Sequence, residues 1–155
     1  MNKSSYAWML SATVLLLVGC QSAMISMPGV HDRKIKSELN QDQVRQAIKV
    51  GAKTAGWQVD EVSNTQMFAT YRIREHTVVV SIDYSPDDYS IQYKSSIYMK
   101  VKCGVRYDAT EPTIVTTGQS PCPGGAPPTF IHQNYKDWLT ALNNSIMSTL
   151  KAWPT

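Results

Sequence analysis

Between Met67 and Tyr93 apolar side chains recur at every second residue with only short polar breaks, and this alternation constrains the fold more than any other feature of the chain. Met67, Ala69, Tyr71 and Ile73 alternate with Phe68, Thr70, Arg72 and Arg74; Val78, Val80, Ile82 and Tyr84 with Thr77, Val79, Ser81 and Asp83; Tyr89, Ile91 and Tyr93 with Ser90, Gln92 and Lys94. A period of two sends alternate side chains to opposite faces of a strand. Trp57 and Val59 open a shorter strand ahead of Ser63-Asn64-Thr65, and Ser85-Pro86-Asp87-Asp88 suits a type I turn with proline second. Four consecutive strands on short links pair antiparallel, so the pattern predicts a β-meander.

Two amphipathic helices flank the meander. Before it, Asn40 as N-cap, Gln43 three residues on and Leu39 against Val44 combine a capping box with a hydrophobic staple, and Asp42 puts a negative charge in the first turn. Val44, Ala47, Ile48, Gly51, Ala52 and Ala55 then share one face until Gly56 stops the helix, which is predicted over residues 41–55. That face carries small side chains, so the helix should lie close to whatever it covers. After the meander, Tyr135, Trp138, Leu139, Leu142, Ile146 and Leu150 form one apolar stripe, with Asn134 and Asp137 at its start and Pro154 beyond its end. A sheet with one apolar face between two one-sided helices is satisfied by laying both helices on that face. The expectation is an α+β two-layer sandwich, an antiparallel meander of four to five strands in the order α-β-β-β-β-α.

The first twenty residues belong to a different problem. Residues 6–19 are uncharged and follow a short polar stretch holding Lys3. As a helix they reach about 21 Å, short of the ~30 Å hydrocarbon core of a bilayer. A basic start, an apolar core of this size and a small residue at its end make a secretory signal over residues 1–19.

Leu17-Val18-Gly19-Cys20 resembles the lipobox of bacterial lipoproteins, in which cleavage precedes a cysteine that carries the acyl chains. The resemblance implies lipidation at Cys20, and two or three chains hold a protein on a bilayer far better than one. Gln21 stands where inner-membrane retention uses aspartate, so the implied address is the outer membrane, periplasmic side. Residues 21–36 lack a regular period and include Pro28-Gly29; residues 20–36 are expected to be the lipidated cysteine and a flexible tether with a reach of about 20–25 Å. Tyr71 to Tyr93, with Arg74-Glu75-His76 and Tyr89-Ser90-Ile91-Gln92-Tyr93, and later Ile131-His132-Gln133-Asn134-Tyr135-Lys136-Asp137-Trp138, resemble small outer-membrane lipoproteins of Gram-negative bacteria. That resemblance implies fold and address and carries over no site residue.

Residues 37–155 are expected to form a single globular domain with an insertion at about 100–130, rich in proline and glycine. A loop this long in a small domain is functional, disordered or stapled. With Cys20 assigned to lipid, Cys103 and Cys122 are an even pair in an oxidising compartment, and a bridge between them stabilises by roughly 3 kcal/mol. Residues 100–107 read as a fifth strand or an extension of the fourth, with 113–117 as its hairpin partner.

Fifteen basic against twelve acidic residues among 155, a formal charge of +3, give no strong pull toward nucleic acid. A thiol enzyme would need Cys103 or Cys122 beside His132 or His76, yet neither cysteine has a local signature of that chemistry and a disulfide consumes both. His31, His76, His132 and the cysteines show no close ligand spacing, so neither a metal nor a cofactor is expected. Asp87-Asp88 reads as turn chemistry. The candidate binding surface is the polar sheet face and its margin: Phe68, Arg72, Arg74, His76 and His132. Two classes remain: a non-enzymatic envelope lipoprotein that binds an envelope protein or cell-wall component, or a small-ligand or lipid-binding accessory protein with a pocket between the first helix and the sheet, beneath Ala47, Gly51 and Ala55.

Overall fold

The computed structural model of the chain describes residues 23–35, 38–103, 114–115, 122 and 128–154. The meander comprises β3 (Gln58–Ser63), β4 (Gln66–Ile73), β5 (His76–Tyr84) and β6 (Asp88–Ile97), each antiparallel to the next. A fifth strand joins it from the N-terminal side: β2 (Val30–Lys34) pairs with β6, giving the order β2-β6-β5-β4-β3. Met67, Ala69, Val78, Val80, Ile82, Tyr84, Tyr89 and Ile91 all face inward and are buried, as their alternation requires. The register shifts between Val79 and Val80, opposite Lys94. Such a bulge moves the remainder of β6 out of its earlier phase, and Ser96 rather than an apolar residue ends up buried there, bonded to the Tyr93 hydroxyl at 2.9 Å.

Helices α1 (Gln41–Thr54) and α2 (Asn134–Ala152) supply the second layer. The capping box at the start of α1 is complete: Asn40 Oδ1 accepts from the Gln43 N–H at 3.0 Å, and Gln43 Oε1 accepts from the Asn40 N–H at 2.9 Å. Gly56, at φ +84°, ends α1 in the left-handed region that glycine tolerates. The small face of α1 is used against α2. A Cβ on Gly51 would stand 2.7 Å from Ile146 Cα, so the two backbones touch there. This arrangement is an α+β sandwich with both helices over the meander.

Two expectations need correction. Residues 20–36 were to be a flexible tether, yet β1 (Met24–Ser26) and β2 are paired strands, so the folded part starts at Met24 among the described residues. They lack alternation because β2 is exposed along most of its length; with no buried face there is no two-residue signal to read. Second, β7 (Val101–Cys103) does not extend the fourth strand. It joins β8 (Ile114–Val115), β9 (Pro128–His132) and β1 in a separate sheet of order β1-β9-β7-β8, whose Val101 and Ile131 enter the same core. The hairpin partnership does hold, with Val101 opposite Val115. Helix α2 begins at Asn134, as expected, but its start carries no side-chain cap from the N-cap residue, Gln133. Instead, His132 Nδ1 accepts from the Asn134 N–H at 3.3 Å. Cys103 and Cys122 stand at disulfide distance, their Cα atoms 5.4 Å apart, so the expected bridge fits.

Candidate functional site

The residues expected to form a binding surface are largely occupied with one another. Phe68 lies on the outer face of β4 and is covered by Lys94, whose Nζ sits 4.2 Å above the ring centre. Arg72 donates to Gln58 Oε1 on the neighbouring strand. On the same face Asp83 accepts from Gln66 Nε2 at 2.6 Å and from Ser81 Oγ at 3.0 Å. Each polar group meets a partner within the sheet, which is the ordinary chemistry of a solvated face. Arg74 occupies the β4–β5 turn at φ +53°. His76 donates from Nδ1 to the Tyr98 carbonyl at 2.9 Å, and His132 caps α2. These five residues therefore divide between an internally satisfied sheet face, holding Phe68 and Arg72, and one end of the molecule, holding Arg74, His76 and His132.

At the small residues where a pocket was expected, α1 packs against α2. Ala47 and Gly51 are buried, and Gly51 is pressed against Ser145 and Ile146. Among the described residues a hollow lies instead between β2 and the second half of α2. It has a volume of about 460 Å³, within the range of small-molecule sites. Tyr89, Met147, Leu150 and Ile35 make its apolar floor; His31, Arg33, Lys34 and Lys151 bring positive or titratable groups to it, against the single carboxylate of Asp32.

The cations of this groove differ in how they are used. Lys34 is committed: its Nζ lies 2.9 Å from Asp88 Oδ2, which holds the lysine pKa up and the aspartate pKa down. Asp88 is fixed in turn by Ser85 Oγ at 2.8 Å, and the Asp87 N–H donates to the same hydroxyl at 3.2 Å. Arg33 meets only neutral partners among the described residues, the Tyr89 hydroxyl and the Met147 thioether. Its Nε and Nη2 point at Met147 Sδ, at 3.1 and 3.0 Å, and among the described residues it forms no ion pair. A thioether is a weak acceptor for a guanidinium that can grip a carboxylate or phosphate with two parallel bonds. Lys151, one turn beyond Met147, likewise has no ion pair among the described residues.

Tyr89 lies beneath them, its hydroxyl donating to Asn143 Oδ1 at 2.8 Å. Burial pushes its pKa up to about 12, with Arg33 pulling the other way, so the phenol stays neutral at physiological pH. The wall itself resists strand addition. Asp32 sits at φ +44° with its N–H turned inward to Ser90 Oγ at 3.0 Å, and the β2–β6 register shifts between Val30 and Arg33. A bulge and adjoining charges are how edge strands avoid pairing with another chain.

Sequence reasoning missed the groove because His31, Asp32, Arg33 and Lys34 read as a solvated tether, and no local pattern ties them to Met147. Among the described residues, no three His, Cys, Asp or Glu side chains gather as a metal site, and no helix is long and apolar enough to cross a membrane. No protein-family model, curated protein or solved structure matches the chain.

Proposed function

We propose that the protein is a non-enzymatic lipoprotein of the bacterial envelope, anchored through acylated Cys20 in the outer membrane and facing the periplasm, and that it binds an anionic amphiphile in the groove between β2 and α2. The observation that carries the binding reading is the Arg33 guanidinium, without a carboxylate partner among the described residues and set over Met147 at the mouth of an apolar hollow. An anionic head would take the two guanidinium donors from the thioether, and Lys151 would add a second positive charge. Tyr89, Leu150 and Ile35 would receive a short apolar body.

Of the two classes open from the sequence, this is the ligand-binding one, with its site moved from α1 to β2. Support for a partner on the sheet face is weaker, because Phe68 and Arg72 already have partners there.

Titration of the mature protein with a fluorescent fatty-acid analogue tests the reading. Saturable binding is expected, weakened about 10- to 100-fold by Arg33→Ala, the worth of one hydrogen bond to a charged group. Equal affinity in Arg33→Ala, or preference for an acidic peptide lacking an apolar body, rejects it.

A further inference from the structure

The N-terminal strand sets how far the folded part can stand from an anchor. From Cys20 to Met24 there are four residue steps, which span at most about 14 Å fully extended. Met24 is no longer part of a tether: it is held opposite His132, and the Ala23 carbonyl accepts the Gln133 N–H at 3.1 Å. Because an acylated Cys20 would sit at the headgroup boundary with its chains in the hydrocarbon core, a reach of ~14 Å brings this end of the molecule to the membrane surface. This step rests on the lipoprotein reading of Cys20.

The same end of the molecule is unlike the rest of its surface. Hydrogen bonds trace its rim from the anchor strand outward: Gln133 to Ala23, then the His132 N–H to the Lys100 carbonyl at 3.1 Å, then His76 to the Tyr98 carbonyl. The β4–β5 turn, with Arg74 and Glu75, lies beside His76. Six large apolar side chains are exposed among the described residues, and three of them, Ile73 (38%), Ile97 (39%) and Tyr98 (57%), sit on this rim. Tyr98 adopts φ +55°, an uncommon backbone for a bulky residue, and His76 holds the carbonyl that fixes it. Around these side chains lie the exposed cations Arg74, Lys100 and Lys136, with Glu75 and Asp137 as the nearby carboxylates and His76 and His132 as titratable groups. The insertion leaves from the other end of its sheet, where Cys103 is opposite Pro128, so neither of its attachment points lies on this rim.

We propose that this rim rests on the bilayer, with Tyr98, Ile97 and Ile73 at the headgroup level and Arg74, Lys100 and Lys136 against lipid phosphates. Aromatic residues with a polar tip favour that depth, and basic side chains are drawn to anionic lipid there. Docking orients the domain. Helix α2 starts at the rim, and Lys151 lies about 25 Å along it from Asn134, so the β2–α2 groove is at the far end of the helix from the docked rim.

The test uses the full mature chain in vesicles of phosphatidylethanolamine and phosphatidylglycerol containing a photoactivatable phospholipid, with crosslinked peptides mapped by mass spectrometry. Labelling is expected at residues 73–76, 97–100 and 133–136, and the double variant Tyr98→Ser, Lys100→Glu is expected to lose most of it. Labelling confined to residues 20–23, or spread equally over the groove end, overturns docking while leaving the anchor intact. The same spectra report acylation of Cys20; an unmodified Cys20 overturns the anchor reading, and docking falls with it.

Discussion

Ser145 donates its hydroxyl to the main-chain carbonyl of Gly51 at 2.7 Å, a bond from the side chain of one helix to the backbone of the other. It is possible only because residue 51 has no side chain to hold α2 away. The two helices run antiparallel across the same layer, with Gln43 reaching the Pro154 carbonyl at their far end, and the small residues of α1 let them approach closely over the sheet. The small residues of α1 thus serve the contact with α2.

Replacing Gly51 with alanine should therefore destabilise the protein. The new Cβ would meet Ile146 Cα at 2.7 Å and Ser145 O at 3.1 Å, and overpacking of this kind costs about 1–3 kcal/mol. That exceeds the ~1 kcal/mol a helix gains when an internal glycine becomes alanine. Urea unfolding with an unchanged slope and a lower midpoint is the expected result; a raised midpoint would show that the helices are not in contact at this point.

Tyr135 makes the opposite prediction. Its ring is buried and meets Tyr93 edge-on with ring centres 5.8 Å apart, but its hydroxyl finds no partner among the described residues. A buried hydroxyl left unpaired costs about 1–3 kcal/mol. Tyr135→Phe keeps the ring and removes the orphan group, so stability should rise by about 1 kcal/mol, read from the same unfolding curves. A loss of that size would mean that the hydroxyl is bonded in solution.

The phenol of Tyr89 predicts an alkaline transition. Burial raises its pKa from 10.0 to about 12 in the folded protein, so the folded state binds this proton more tightly than the unfolded chain. Its contribution to stability is complete below pH 10 and fades as pH climbs through about 12. Burial also raises Tyr84, Tyr93 and Tyr135, so tyrosinate absorbance of the native protein should show several late-titrating groups, of which Tyr89→Phe removes one, and the variant should lose stability less steeply over that interval. Ordinary titration near pH 10 in the wild type would contradict the burial of this hydroxyl.

Much of the fold was legible because its signals are local. The capping box of Asn40 and Gln43 lies within four residues, and the stripe from Tyr135 to Leu150 marks the buried face of one helix; both appear where the spacing places them. The alternation from Met67 to Tyr93 likewise identified which side chains point inward. The start of α2 at Asn134 was legible too, whereas the acceptor for its first N–H was not, because His132 supplies it from outside the usual N-cap position.

What reaches beyond local spacing was not legible. Strands β1 and β2 and their partners β9 and β6 join through main-chain groups that nearly every residue carries, so their sequences hold no mark of pairing. Arg33 faces Met147 only because β2 takes the free edge of β6 and α2 crosses beside it. Thus the residue pattern alone settled which segments become helices and meander strands, since burying one face imposes a period that can be read. The groove, the second sheet and the short distance from Cys20 to the first strand came from the packed fold, because each depends on which distant segments share an edge.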